Sequence, residues 1–314
     1  MIETQDPCFD RIAASDVRYI KLGPNNSWAQ SSFDNGWIAF GHAGIPHDKA
    51  LAEDWDAVRA SWGDALSSNK KSDFLREVKE FYTQGPDCLW ITFAHGQMYW
   101  AFADPDVSLI ANPSDDIGCR YRQVIGRWRS SDRFGKPLML NDISTKLTKT
   151  SAYRQTLCGV AAADYAVRLI NGEDDPLVVR SKAARSAFIE TLSPIIQSLH
   201  ETDFEVLTDL LFTRLGWVRV SSIGGTQKDT DLILEQPATK VRALVQVKSA
   251  ADQTVLDDYA QRFKDMPAQT GFFICHSPRG QLVGNEHMHV WSGAEVADRV
   301  MQAGLVDWVF DRAG

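Results

Sequence analysis

An aspartate that opens one apolar strand, followed by Gln and Lys two residues apart in the next, constrains this chain more than any other feature. The stretch reads Thr226-Gln227-Lys228-Asp229-Thr230-Asp231-Leu232-Ile233-Leu234 and, after a turn-like gap, Ala243-Leu244-Val245-Gln246-Val247-Lys248-Ser249. Gln246 and Lys248 flank Val247, so the two-residue period of a strand puts both on one face. If the two strands pair as a hairpin, Asp231 comes to lie beside them. A carboxylate, an amide oxygen and an ammonium then converge at one end of a sheet. That set suits a hard divalent cation and an activated water. Asp229, two residues earlier, is the weaker candidate because it sits in the loop.

The arrangement resembles the PD-(D/E)XK nuclease superfamily, and within it the Mrr-type restriction endonucleases, whose second acidic position is commonly Gln. Phe204-Glu205-Val206-Leu207 opens a helix ending near Leu215-Gly216-Trp217, Gly224-Gly225 precede the aspartate motif, and Val290-Trp291-Ser292-Gly293-Ala294-Glu295 is similar to the family's last strand and helix. The resemblance spans roughly residues 195–314. It implies an α/β, restriction-endonuclease-like core, a central mixed sheet flanked by helices. It also implies hydrolysis of DNA phosphodiesters with Mg²⁺, Mn²⁺ substituting. Asp231, Gln246 and Glu205 would hold the metal, and Lys248 would steady the attacking water and the charge of the transition state. Glu205 has a second reading: Thr202-x-x-Glu205 has the form of a capping box. Gln253, Tyr259 and Gln261, on the helix after the lysine motif, face either the nucleic-acid backbone or solvent. His287 and His289 read as exposed strand histidines.

Around this motif the expected order is a helix over 202–215, strands over 217–223, 231–236 and 241–248, a helix over 252–264, strands over 270–275 and 288–291, and a helix over 293–303. A helix over about 181–200, bent at Pro194, precedes them. Glu173-Asp174-Asp175-Pro176 reads as a linker. The organisation expected is therefore 1–172 as one domain, 173–200 as linker and connecting helix, and 201–314 as the nuclease domain.

The first half has a different texture. Trp28, Trp37, Trp55, Trp62, Trp90, Trp100 and Trp128 all precede residue 130. Val17-Arg18-Tyr19-Ile20-Lys21-Leu22 alternates and stops at Gly23-Pro24. Gly36-Trp37-Ile38-Ala39-Phe40-Gly41 is an apolar run bounded by glycines. Cys88–Phe93, His95-Gly96 and Met98–Phe102 read as a hairpin. A long helix is expected over about 51–84, with Trp55 and Trp62 on its apolar side, and another over 150–171. These strands resemble the PUA-like group that includes EVE and YTH domains, over roughly residues 15–170. The resemblance implies an α+β, β-barrel-type domain that grips a flipped or modified base between aromatic rings. Trp28, Trp37 and Trp100 are the candidate walls, and Arg120, Arg122, Arg127 and Arg129 a candidate phosphate-facing strip.

Bulk properties set outer limits. The 314 residues carry a formal net charge of −8, which argues against indiscriminate coating of nucleic acid but not against a local basic cleft. No apolar run approaches a membrane span. Five widely spaced cysteines without a Cys-x-x-Cys pair, and no basic-then-apolar leader, fit reduced thiols in a cytoplasmic protein with no membrane partner. There is no phosphate-binding Gly-x-x-x-x-Gly-Lys motif. The expectation is a DNA endonuclease of the modification-dependent restriction type acting in defence, homodimeric for double-strand cleavage. Two alternatives stay open: a defence nuclease switched on by a nucleotide signal, and a protein that binds nucleic acid without cutting it.

Overall fold

The computed structural model describes residues 9–114, 116–220, 230–264, 266 and 268–314. Gly224, Gly225 and Asp229, singled out above, lie outside the described residues. The chain divides into two units, Met1–Pro176 and Leu177–Gly314.

The first unit contains strands β1 (Asp16–Ile20), β2 (Trp37–Phe40), β3 (Cys88–Ala94), β4 (Gln97–Ala101), β5 (Ala103–Ser114), β6 (Gly118–Val124) and β7 (Leu157–Gly159), with helices α1 (Ala29–Asn35), α2 (His47–Leu51), α3 (Trp55–Ala60), α4 (Ser68–Thr83), α5 (Thr145–Thr148) and α6 (Ala163–Ile170). The strands form two sheets, β4-β3-β1-β7 and β2-β6-β5. Among the described residues they do not close into a barrel, so the expected barrel is replaced by two sheets sharing a core. Cys88, Trp90 and Ala101 of the first sheet pack with Ile38, Phe40 and Val124 of the second and with Val78 and Phe81 of α4. The opposite face of the first sheet, Val17, Tyr19, Ile91 and Trp100, is covered by Ala166 and Ile170 of α6. The expected hairpin forms with Ala94 opposite Gln97. Its turn residues His95 and Gly96 both have positive φ, as a two-residue hairpin turn of matching twist requires.

Three expectations fail here for physical reasons. The helix over 51–84 is broken into α2, α3, a 3₁₀ turn and α4, because Asp54 and Ser67 each cap a new start by accepting a backbone N–H, from Ala57 and Lys70. Within 150–171 the helix is confined to α6, because Leu157–Gly159 pairs with β1 as an edge strand. The arginine strip is turned inside out. Arg120 and Arg122 are 1% and 0% exposed. Their guanidinium groups serve buried acceptors. Arg122 donates to the carbonyls of Asp104 (2.7 Å), Phe81 (3.4 Å) and Gln84 (2.7 Å), the last two at the C-terminal end of α4 where helix carbonyls lack partners. Arg120 donates to Tyr82 Oη (2.7 Å) and to the His42 carbonyl (2.9 Å). Burial lowers the Arg122 pKa to about 10. Arg129 lies over the rings of Phe9 and Trp100, and of the four only Arg127 is exposed.

The second unit carries α7 (Pro176–Gln197), α8 (Glu201–Arg214), β8 (Val218–Arg219), β9 (Leu232–Glu235), β10 (Arg242–Ala251), α9 (Gln253–Lys264), β11 (Thr270–Pro278), β12 (Met288–Ser292), α10 (Ala294–Gln302) and α11 (Val306–Ala313). Its sheet runs β12-β11-β10-β9-β8, with β10, β11 and β12 parallel and β8 and β9 antiparallel. This is the mixed sheet flanked by helices that the sequence implied. Val245, Val247 and Ile274 face Phe204, Leu207 and Leu211 of α8 and Val300 of α10. Leu244, Phe273 and Cys275 face Leu256 and Phe263 of α9. β10 is central and covered on both faces, which accounts for its nearly unbroken apolar run. No described helix is long and apolar enough to cross a membrane.

The buried arginines predict a stability signature. Arg122→Met keeps most of the volume and removes every donor. Each carbonyl left unpaired costs about 1–3 kcal/mol. Chemical denaturation is expected to show a loss of at least about 2 kcal/mol. Unchanged stability, with DNA affinity falling instead, would return Arg122 to a phosphate-binding role.

Candidate active site

The β9–β10 ladder begins with Arg242 opposite Glu235 and ends with Val245 opposite Leu232. Beyond that pair the strands part, and the next inward donor of β10, the Val247 N–H, has no strand partner on β9. The Asp231 carboxylate takes the place of the missing carbonyl: Val247 N–H donates to Asp231 Oδ2 at 2.7 Å. Asp231 N–H in turn donates to the Val245 carbonyl at 3.0 Å. The buried Thr230 hydroxyl makes contacts of 3.1 Å to the carbonyls of Leu232 and Val245, pinning the strand start one residue earlier. Ladder, threonine and amide together fix where the carboxylate sits.

Gln246 is 2% exposed and donates from Nε2 to Asp231 Oδ2. With the amide nitrogen so engaged, Oε1 is the atom left for a cation. Lys248, next on the same face, is half-buried, and its Nζ lies 5.5 Å from the centre of the Tyr259 ring. Glu205 stands on α8, on the other face of the sheet, close enough for the charges of Asp231 and Lys248 to act on its carboxyl. It is not a capping residue: α8 begins at Glu201, and His200 is the cap, accepting the Thr202 N–H. This frees the Glu205 carboxylate from the backbone role that the sequence offered as its alternative.

The electrostatics describe a site short of positive charge. Burial pushes the Asp231 carboxyl above the ordinary carboxylate range; the Val247 N–H and Lys248 oppose this, and Glu201 adds to it. Burial also raises Glu205, and the charge on Asp231 raises it further. A cation bound between two such carboxylates relieves both desolvation and repulsion. Among the described residues no three His, Cys, Asp or Glu side chains are grouped closely enough to hold a metal by themselves. The donor set is two carboxylates and an amide oxygen. It fits an ion such as Mg²⁺, which keeps several waters and takes oxygens from its phosphate substrate.

The other candidates fall elsewhere. Gln253 is tied to Val283 at 2.9 and 3.1 Å and joins α9 to the loop before β12. His287 pairs with Glu286 at 3.4 Å and His289 lies against Phe272, both exposed. In the first unit Trp100 is core, 4% exposed, with its indole N–H donating to the Ser131 carbonyl at 2.9 Å. Trp37 stacks on Tyr121, with ring centres 4.2 Å apart. Trp28 lines a cavity of about 680 Å³, together with Tyr19, Lys21, Asn26, His42 and Arg154. Its indole has room because three glycines surround it. A Cβ on Gly23 would sit 2.4 Å from the ring, one on Gly118 3.0 Å and one on Gly41 3.5 Å. Asn25, Asn26 and His42 all have positive φ, and all three line this cavity. Such strain in non-glycine residues gathers at binding sites. His42 is held by the buried Glu77, Nε2 to Oε2 at 3.2 Å, and Glu77 also accepts the Thr156 N–H at 3.2 Å. Thr230 and the glycine cradle escaped the sequence reading. Their signal was a hydroxyl residue just before the aspartate and glycines on either side of Trp28.

Two outcomes follow for the metal-free protein. A carboxyl with its folded pKa raised contributes most below its unfolded value, and that contribution is lost as pH rises through the folded value. The gap in metal-free melting temperature between Glu205→Gln and the wild type should therefore widen as pH rises out of the carboxylate range, with the variant the higher at neutral pH. A melting temperature lowered by Glu205→Gln at pH 7 would contradict the repulsion. Gln246→Glu replaces the amide donor to Asp231 with a third carboxylate. It should melt lower without divalent ions and recover most of the loss when they are added. A variant as stable as the wild type without metal would contradict the Gln246–Asp231 contact.

Residues 196–281, from the end of α7 to the loop after β11, match a family model, Mrr_cat, described as a restriction endonuclease. Among solved structures, a DNA modification-dependent restriction endonuclease, AspBHI, is 15% identical, covering 89% of this chain and 80% of that chain with a TM-score of 0.31. Comparison with curated proteins gives no match. The matched segment contains Glu205, Asp231, Gln246 and Lys248, and the second unit thus carries an Mrr-type restriction endonuclease domain, a member of a family of DNA-cleaving hydrolases.

Proposed function

We propose that this protein is a divalent-metal-dependent DNA endonuclease in which the second unit cuts and the first selects the DNA, reading a modified base in the Trp28 cavity. The observation that carries the catalytic part is the Asp231 carboxylate, fixed by the Val247 N–H at 2.7 Å beside Gln246 and Lys248. Asp231, Glu205 and the amide oxygen of Gln246 would hold Mg²⁺ or Mn²⁺. Bound there, the ion supplies Lewis acidity toward a phosphodiester oxygen and lowers the pKa of a water. Asp231 keeps its position through a backbone bond, so its aim does not depend on a flexible side chain. Lys248 presents an ammonium that orients the water and offsets the charge developing on the phosphoryl oxygens. Gln246 anchors Asp231 without adding a third negative charge to a site that must approach DNA. Cutting both strands of a duplex takes two such sites, which a homodimer would supply. Action against foreign DNA is the role that suits this pairing of cutter and reader.

The reader reading rests on the Trp28 cavity. Its volume suits a nucleotide-sized ligand. An indole set among glycines offers a stacking face, and Lys21 and Arg154 offer cations to a phosphate. Trp100 packs the core, and Trp37, half-buried, stacks on Tyr121.

With Mg²⁺ or Mn²⁺, the full-length protein is expected to cut phage DNA carrying modified bases in preference to unmodified DNA. Asp231→Ala and Lys248→Ala should each lower the rate by about 10²–10³ or more. Cleavage at wild-type rate in either variant contradicts the catalytic assignment. Trp28→Ala should weaken binding by about 1–3 kcal/mol even when measured well below its melting temperature, where the domain stays folded. Trp100→Ala should instead cost about 3–5 kcal/mol of stability. Activation by an added nucleotide, without preference among DNAs, would assign the cavity to a signal.

A further inference from the structure

We infer that Tyr259 is the positioning residue for the Lys248 ammonium, holding it on the face of the ring so that the site's carboxylates stay free for the cation. The inference rests on the reading of Lys248 as the ammonium of the proposed site. Lys248 lies on β10 one residue beyond Val247, and the groups of opposite charge nearby are Asp231 and Glu205. It forms an ion pair with neither among the described residues. Its Nζ lies instead over the Tyr259 ring, 5.5 Å from the centre. The ring itself is fixed. It stands at the end of the second turn of α9, near edge-on to Phe263 with centres 6.3 Å apart and tilted against Phe273 at 6.0 Å. Phe273 is buried and pairs in register with Gln246 on the neighbouring strand. Tyr259 is thereby referenced to the strand that carries the site, through a core contact and not through a loop.

The chemistry favours a ring in this position. A carboxylate partner for Lys248 would be lost to the metal, and the two charges would neutralise each other in the apo site. The quadrupole of an aromatic face attracts an ammonium without presenting a formal charge to incoming phosphate. It also leaves all three N–H donors of the ammonium available. Arg262 lies over the same ring, 5.1 Å from its centre, and is paired to Asp258 at 2.6 Å. Tyr259 therefore carries a cation on the site side and packs on the helix through its neighbours. The hydroxyl has no part in this arrangement, so the ring alone should suffice.

The test uses the full-length protein with its lysines reductively methylated with ¹³C, which keeps their charge. The Lys248 dimethyl resonance is assigned by its absence in Lys248→Arg. It should be shifted upfield by the ring current, remain so in Tyr259→Phe, and move to the ordinary lysine position in Tyr259→Leu. A Lys248 resonance that is unshifted in the wild type, or unmoved in Tyr259→Leu, overturns the inference whatever the enzyme does. In cleavage of modified phage DNA with Mg²⁺, Tyr259→Phe should match the wild type. Tyr259→Leu should lower kcat on the order of tenfold with KM little changed. In a Lys248→Arg background the leucine change should cost less than it does alone. Equal losses in the Phe and Leu variants would place the function in the hydroxyl and overturn the ring's role. Undiminished cutting by Lys248→Ala would instead defeat the catalytic reading of Lys248, while the resonance test of the contact would stand.

Discussion

The hydrogen bond from the Val247 N–H to Asp231 Oδ2, 2.7 Å long, is the contact on which the candidate site depends. It exists because the β9–β10 ladder stops at Val245 and Leu232. A strand that continued pairing would have used the same N–H for a carbonyl and turned Asp231 away. A buried amide left without any acceptor would be costly. The break in the sheet and the placing of the carboxylate are thus one event. Thr230 reinforces it by bonding the Val245 carbonyl from the side. Gln246 and Lys248 then follow from the period of β10, on the face that α9 covers, while Glu205 stands on α8 across the sheet, near enough for the charges of Asp231 and Lys248 to act on its carboxyl. The cost appears in the electrostatics: both carboxyls are raised by burial, and Asp231 raises Glu205 further.

The first unit solves a different problem with similar means. Two sheets and α4 meet in one core, and the end of α4 points carbonyls into it. Arg120 and Arg122 on β6 satisfy those and neighbouring acceptors from inside. The aromatic wealth of this half divides accordingly. Several tryptophans pack the core, and Trp28 does so in part: its ring lies close against Gly23, Gly41 and Gly118 and also lines a cavity. Strained residues Asn25, Asn26 and His42 border the same space. Backbone strain is tolerated there because the side chains are tied down: Asn26 bonds Leu22 and Phe93, and His42 bonds Glu77.

The legible part of the sequence was the part governed by local periodicity. The alternation of β10, the apolar run of β9 and the hairpin around His95-Gly96 all appear where the pattern places them. The site residues Asp231, Gln246 and Lys248 come together because strand period and hairpin pairing are enough to bring them there. What was hidden depended on distant partners. Alternating arginines on β6 look solvated until the carbonyls of α4 and of the loop before α2 are placed beside them. The run from 51 to 84 looks like one helix because its apolar spacing continues through Asp54 and Ser67, whose capping role overrides it. Thr202 and Glu205 spell a capping box, yet the helix starts earlier, at His200. Leu157–Gly159 carries no strand signal of its own and is drawn into the sheet by the free edge of β1.

If Asp231, fixed by the ladder's end, anchors a divalent cation, its charge sets the affinity for that ion. The most direct measurement is calorimetric titration of the metal-free protein with Mn²⁺, comparing the wild type with Asp231→Asn, which keeps the acceptor for Val247 N–H but loses the charge. The wild type should bind the ion and the variant bind it at least about tenfold more weakly, a difference of about 1.4 kcal/mol, with both proteins folded. Equal affinity in the two proteins would contradict it.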